Sequence, residues 1–346
     1  MKAIDLFPYW ADNRSLVMDV VAGLRDDELE FRPAADLWTV GEVLRHIIIA
    51  EEGWWHGGIQ GEPYERWRPE GWERLSPTEQ HAHYRERFPT VAAILTGLRA
   101  AHAPIEGFLT DFDAADLCLK RRATWGEENT LRWIFWHLVE HDQHHRAQLY
   151  TRLRMLGHQP PQIWPRPQVM GRTPAGSWRT GEAAVTDVIP YWKHLHGALR
   201  KAVATLAEAD LRFTPAPGRP TIHDLVLHIF IWEDFLIRQN LKGEMGRPSG
   251  KIEGWFWKSE ITQLAQNVGP VFPTVEALLE GMDAVYAATR AYVEGLATTD
   301  LVRTIETPAG PETVHHVLWY AREHAVHHRA QVFLRMRMAG RTPPDL

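Results

Sequence analysis

The sequence predicts an all-α protein built as two tandem four-helix bundles related by internal duplication. Three observations carry this. Segments recur at a nearly constant offset, period-two runs are short and scarce, and 346 residues exceed what one hydrophobic core usually supports. PYW at residues 8–10 returns at 190–192, an offset of 182. LEFRPAADLWTVGEVLRHIIIAEE from Leu29 keeps that offset against LRFTPAPGRPTIHDLVLHIFIWED from Leu211. HDQHHRAQLYTRLRMLG from His141 matches HAVHHRAQVFLRMRMAG from His324 at an offset of 183, so one net residue has been inserted between these landmarks. Surface loops tolerate such an insertion easily.

Each copy reads as four helices. Pro8 and Pro190 suit the first turn of a first helix, where proline gives up only an amide that has no intrahelical partner. Thr39-Val-Gly-Glu42 opens the second helix as a capping box, and Thr221-Ile-His-Asp224 repeats it with the shorter acid. A third helix is expected over Phe88 to Asp111 and Thr274 to Ala297. The fourth runs from Thr130 or Thr313 to a stop at Gly157 or Gly340. The stretch between the copies is dense in Pro and Gly, which sustain neither helix nor central strand. The domains are therefore placed at residues 1–160 and 182–346, with a semi-rigid linker at 161–181.

Composition removes several functions. The chain is 45% apolar and 24% charged, a globular balance, and the opening MKAIDLFPYWADNR lacks the pattern of a secretory signal. No stretch reaches the roughly 18 uninterrupted apolar residues of a membrane span, so a cytoplasmic protein with no membrane partner is expected. A net charge of −6 gives no footprint for a nucleic-acid backbone. Cys118 is the single cysteine, which excludes an intramolecular disulfide and a thiolate-rich metal site. Any metal must sit on nitrogen and oxygen. The 19 His and 16 Trp are the compositional excess that calls for an explanation.

His141 and His145 are four residues apart on the fourth helix, as are His324 and His328. That spacing puts two imidazoles on one face, about 5–6 Å apart between Cβ atoms. Both pairs persist although Asp142 and Gln143 between them became Ala325 and Val326. A third histidine, His46 or His228, lies within an apolar run of the second helix, where an imidazole needs a partner. Three imidazoles converging on one divalent cation would satisfy all of them. His144 and His327 also recur, and spacing leaves open which member of each HH pair takes part. Glu42 and Asp224 are explained as well by capping as by orienting a histidine. Arg152 and Arg335 share a stripe with Gln148 and Gln331, where they either meet an anionic substrate or complement the helix dipole.

A helix-two histidine combined with His141-Asp-Gln-His-His145-Arg-Ala-Gln148, and its second version from His324, resembles the DinB/YfiT-like superfamily of bacterial metal-binding four-helix bundles. Ala147 and Ala330 stand where glycine is frequent in that family. The resemblance implies one divalent ion per domain (Ni, Zn, Mn or Fe), held by His46, His141 and His145 and by His228, His324 and His328, with open positions for water. Its characterised relatives include S-transferases that use bacillithiol, mycothiol or glutathione, and a thiol-dependent maleylpyruvate isomerase. The function expected here is therefore a metal-dependent transferase that activates a small-molecule thiol for attack on an electrophilic substrate. A metal-dependent hydrolase and a non-catalytic stress-related metal- or ligand-binding protein are the alternatives. A di-iron carboxylate bundle is disfavoured, because neither copy has Glu three residues before a triad histidine. Family members commonly form dimers, so the tandem chain resembles an intramolecular pseudo-dimer. The aromatic-rich segments after helix two, with Trp67 and Trp72 in one copy and Trp255 and Trp257 in the other, diverge most and either shape two different pockets or cover the bundle.

Overall fold

In the computed structural model, residues 2–7, 10–163, 189–243, 261, 266, 268–307 and 310–344 are described. The chain divides into two compact units, Met1–Ser177 and Trp178–Leu346. Most of the expected linker, together with Pro8, Trp255 and Trp257, lies outside the described residues.

The first unit contains α1 (Trp10–Ala22), α2 (Val40–Glu52), α3 (Pro77–Arg87), α4 (Val91–Asp111) and α5 (Leu131–Met155). The second contains α6 (Ile189–Ala204), α7 (Ile222–Asp234), α8 (Val275–Glu294) and α9 (Val314–Met338). In the first unit α1 and α2 each pack on both α4 and α5. In the second, α6 and α7 each pack on both α8 and α9. Four long helices thus close one ring of contacts around an apolar core in each unit. Val17, Leu44, Leu98 and Leu149 fill the first core, and Leu199, Leu225, Leu278 and Val326 the second. Among the described residues no helix is long and apolar enough to cross a membrane.

The helix ends follow from local chemistry. Glu42 N–H donates to Thr39 Oγ1 at 3.0 Å and Thr39 N–H to the Glu42 carboxylate at 2.6 Å. Thr221 and Asp224 exchange the same bonds at 2.8 and 3.1 Å, so the shorter acid still closes the box. Gly157 and Gly340 stop α5 and α9 at φ of +86° and +74°, a conformation that costs most residues energy. There His158 N–H reaches Leu153 O and Arg341 N–H reaches Met336 O, the six-to-one bond of a Schellman end.

Three features differ from expectation. An additional helix, α3, starts at the capping box of Ser76 and Glu79 with Pro77 in its first turn, so the following helix begins at Val91 instead of Phe88. The helix expected to run to Ala297 ends at Glu294. Short antiparallel hairpins, β1 (Lys120–Arg122) with β2 (Glu128–Thr130) and β3 (Thr304–Thr307) with β4 (Gly310–Thr313), lead into α5 and α9. Their strands are three or four residues long, too short for alternation to register in a sequence.

One glycine in each unit sets how closely helices approach. A Cβ on Gly97 of α4 would lie 2.6 Å from the Phe88 ring and 2.8 Å from Ile48 of α2. A Cβ on Gly281 of α8 would lie 2.7 Å from Phe272 and 3.1 Å from Phe230 of α7. Overpacking a core costs about 1–3 kcal/mol, which outweighs the gain of up to about 1 kcal/mol that alanine brings to a helix. Gly97→Ala should therefore lower the urea midpoint of unfolding, with a net loss of up to about 2 kcal/mol. Gly107→Ala, on the same helix but with nothing within 4 Å of its new Cβ, should raise the midpoint, with a gain in stability of about 0.5–1 kcal/mol.

Candidate metal centre

Packing of α2 against α5 brings His46 to His141 and His145, and packing of α7 against α9 brings His228 to His324 and His328. In each group one ring nitrogen per histidine lies within 4.8 Å of the other two. The Nε2 atoms of His46 and His141 are 3.0 Å apart, and those of His228 and His324 are 2.8 Å apart. Two nitrogens ligating one ion at 2.0–2.1 Å would be separated by roughly 3 Å, so the observed spacing is that of a pair aimed at one point. The third ring completes each set. His145 lies 4.8 Å from His46 and 4.4 Å from His141 between ring centroids, and His328 lies 4.6 and 4.5 Å from its partners.

Burial favours the neutral form of five of the six rings. Desolvation pushes His46 and His228 down to about 4, with neighbouring His81 adding to the effect at His46. His141, His145 and His324 are likewise held well below the ordinary imidazole value, by desolvation first and then by neighbouring histidines. A neutral ring keeps a lone pair for a cation and need lose no proton to bind one.

The ambiguity within each HH pair has a geometric answer. Gln148 Oε1 accepts from Nδ1 of His145 at 3.3 Å, while its amide nitrogen donates to Nε2 of His144 at 2.8 Å. Gln331 does the same for His328 at 3.0 Å and His327 at 3.0 Å. With its proton on Nδ1, His145 or His328 offers Nε2 to the triad, whereas Nε2 of His144 or His327 is engaged by the glutamine.

A family model described as DinB family matches residues 1–168, and one described as DinB superfamily matches residues 191–332. The chain belongs to the DinB superfamily, in two tandem copies. A solved DinB-like protein from Bacillus cereus ATCC 10987 is 18% identical, with a TM-score of 0.37, over 46% of this chain and 96% of its own. No curated protein matches the sequence.

The remaining candidates in this DinB pair have structural duties. Glu42 and Asp224 close capping boxes. Arg152 is buried and donates to the carbonyls of Gln148 at 3.1 Å and Trp38 at 3.2 Å. Arg335 donates to those of Gln331 at 3.1 Å and Pro220 at 3.3 Å. Each arginine thus ties its last helix to the residue before the helix-two cap. Asp142 bonds Arg14 at 3.0 Å, which removes it from the metal set. Cys118 is exposed and free.

Sequence reasoning missed the walls of the two sites. In the first copy Trp38, 36% exposed, lies 4.8 Å from His46, and His81 of α3 packs beside both. His137, one turn before His141, adds a further ring at 6.1 Å. In the second copy Trp232 stacks on His228 and His324 at 5.8 and 5.5 Å, and Tyr320 occupies the place of His137. The i−4 spacing of His137 and Tyr320 from a triad member, and the i+4 spacing of Trp232 from His228, were the available signals. Of the loop tryptophans, Trp72 is buried in the core, and Trp67 stacks on His56 and lies beside the Arg68 guanidinium. They cover the bundle.

Removing the partner that orients a ligating histidine typically lowers metal affinity about 10–100-fold. Gln148→Ala should produce that loss at one of two sites per chain, and Gln331→Ala at the other, in a competition titration against a chelating dye. Equal affinity in the variants and the parent would show that the glutamines do not orient the ligands.

Proposed function

We propose that each DinB copy binds one divalent ion through its histidine triad and uses it to activate a low-molecular-weight thiol for attack on an electrophile. The observation that carries the reading is the convergence of three imidazoles in both units, with no carboxylate in either set. Such a donor set leaves the ion its full charge and at least one position for an outside ligand, the pattern of a catalytic site. When bound, a divalent ion lowers the pKa of a coordinating thiol or water toward neutrality.

The residues of this chain supply the rest. His46, His141 and His145 hold the ion in the first copy, and His228, His324 and His328 in the second. Gln148 and Gln331 fix the ring tautomers. Trp38 and His81 on one site, and Trp232 and Tyr320 on the other, shield the imidazoles and border the space a substrate would enter. Those walls differ, which supports different electrophiles at the two sites. The choice of ion rests with availability as well as with the ligands, because an all-nitrogen site accepts several first-row metals.

Elemental analysis of purified protein tests the metal. Two ions per chain are expected, falling to one in His145→Ala and to one in His328→Ala. No bound metal after loading and desalting, or a content indifferent to both changes, would overturn it. A screen of the metal-loaded protein with several thiols against a panel of electrophiles then tests the chemistry. Turnover that is independent of added thiol would favour hydrolysis instead.

A further inference from the structure

Exposed tryptophan is concentrated around the first metal centre. Among the described residues four large apolar side chains are exposed, and three of them are Trp38, Trp125 and Trp133 of the first unit. Trp38 borders the triad directly. The other two reach it through a chain of ring contacts. Trp133 stands one turn before His137 on α5 and lies parallel to it, with centroids 4.9 Å apart and planes at 7°, and His137 in turn meets His141 at 6.1 Å. Trp54 lies on the π-helical segment Gly53–Ile59 that continues α2, tilted steeply against His137 at 5.2 Å and against Trp133 at 5.6 Å. Trp125, in the turn between β1 and β2, meets Trp54 at 4.9 Å with planes at 83°.

This aromatic shelf is held in place by its supports. Thr124 N–H donates to Gly57 O at 3.1 Å, which ties the hairpin turn to the π-helical segment, and Trp125 Nε1 donates to the Glu127 carboxylate at 3.2 Å. Two glycines make room for the indoles. A Cβ on Gly57 would lie 2.9 Å from the Trp125 ring, and one on Gly58 would lie 2.5 Å from the Trp54 ring. The second copy has Leu236 for Trp54, Gln239 and Asn240 for the glycines, and His316 for Trp133. Leu236 is buried in the core, and His316 is buried facing Glu312 at 3.4 Å.

We propose that Trp54, Trp125 and Trp133 bind the planar, electron-poor aromatic ring of the first copy's electrophile, and that the second copy lacks this site. Its identity as an electrophile rests on the thiol-activation reading, whereas binding of the ring does not. Tryptophans that only covered the bundle would be buried as Trp72 is, yet Trp125 and Trp133 are 38% and 36% exposed. Contiguous exposed apolar surface of this kind marks an interaction site. Indole faces carry negative π density and favour offset stacking, so the best-matched ligand is a flat ring depleted of electrons. The same depletion is what makes an aromatic carbon electrophilic. Walls that meet at 62° and 83° let such a ring lie on one indole with its edge against the next.

Equilibrium dialysis of the full chain against meta-dinitrobenzene, a neutral electron-poor ring, tests the site, with nitrocyclohexane as the saturated control. One equivalent of the aromatic probe is expected to bind, with a Kd of about 0.1–1 mM, and the control at least about tenfold more weakly. Trp54→Leu and Trp133→His, which install the second copy's residues, should each weaken the aromatic probe at least about fivefold. Trp125→Leu, on an exposed hairpin turn, should do the same where either of the others perturbs folding. A repeat after chelation should give the same Kd, so a protein that holds no ion would overturn the proposed function and leave this result standing. No saturable binding of the aromatic probe, equal binding of nitrocyclohexane, or binding unchanged in all three variants would overturn the site.

Discussion

Each unit depends on holding neutral imidazoles from two different helices about 3 Å apart inside a helical bundle. Bare imidazoles in an apolar interior are costly unless each nitrogen that loses water gains a partner. The Nε2 atoms of the pairs His46–His141 and His228–His324 meet that demand only at one register of the second helix against the last. Much of the surrounding structure maintains that register. Threonine caps set where the second helix starts, Arg152 and Arg335 tie that start to the last helix, and Gly97 and Gly281 permit the close approach of the helix behind.

The same reasoning explains why some large buried charges are present at all. Burying a guanidinium is expensive unless a carboxylate and further hydrogen bonds accompany it. In the first copy Arg14 has two carboxylates, while in the second the arginine and one carboxylate are both gone. A single loss would have left an uncompensated charge, whereas the paired replacement by His196 and Ala325 leaves a carboxyl that can retain its proton.

Much of this was legible in the sequence because the chain contains its own comparison. Retention of His141 and His145 through changes at the two residues between them, repeated at His324 and His328, separated ligand candidates from background before any geometry was known. The helix starts at Thr39, Thr130, Thr221 and Thr313 and the stops at Gly157 and Gly340 were readable from cap chemistry, which is local. What was not legible depended on side-chain orientation or on contacts distant in sequence. Spacing alone does not distinguish His144 from His145, because the choice is made by which atom of Gln148, three and four residues on, faces each ring. His81 reaches the first site from a helix that went unrecognised, although Ser76, Pro77 and Glu79 carried its start signal. The role of Arg152 required the carbonyl of Trp38, more than a hundred positions away.

The unequal walls of the two sites bear on symmetry. In an assembly of identical subunits, a substitution that reshapes one site reshapes its twin at once, because both are read from the same stretch of sequence. Fusing two copies into one chain removes that identity. Trp38 and Pro220, or His137 and Tyr320, are separate positions, and each can be altered while its counterpart keeps its former task. One polypeptide can thereby carry two non-equivalent centres in fixed one-to-one proportion.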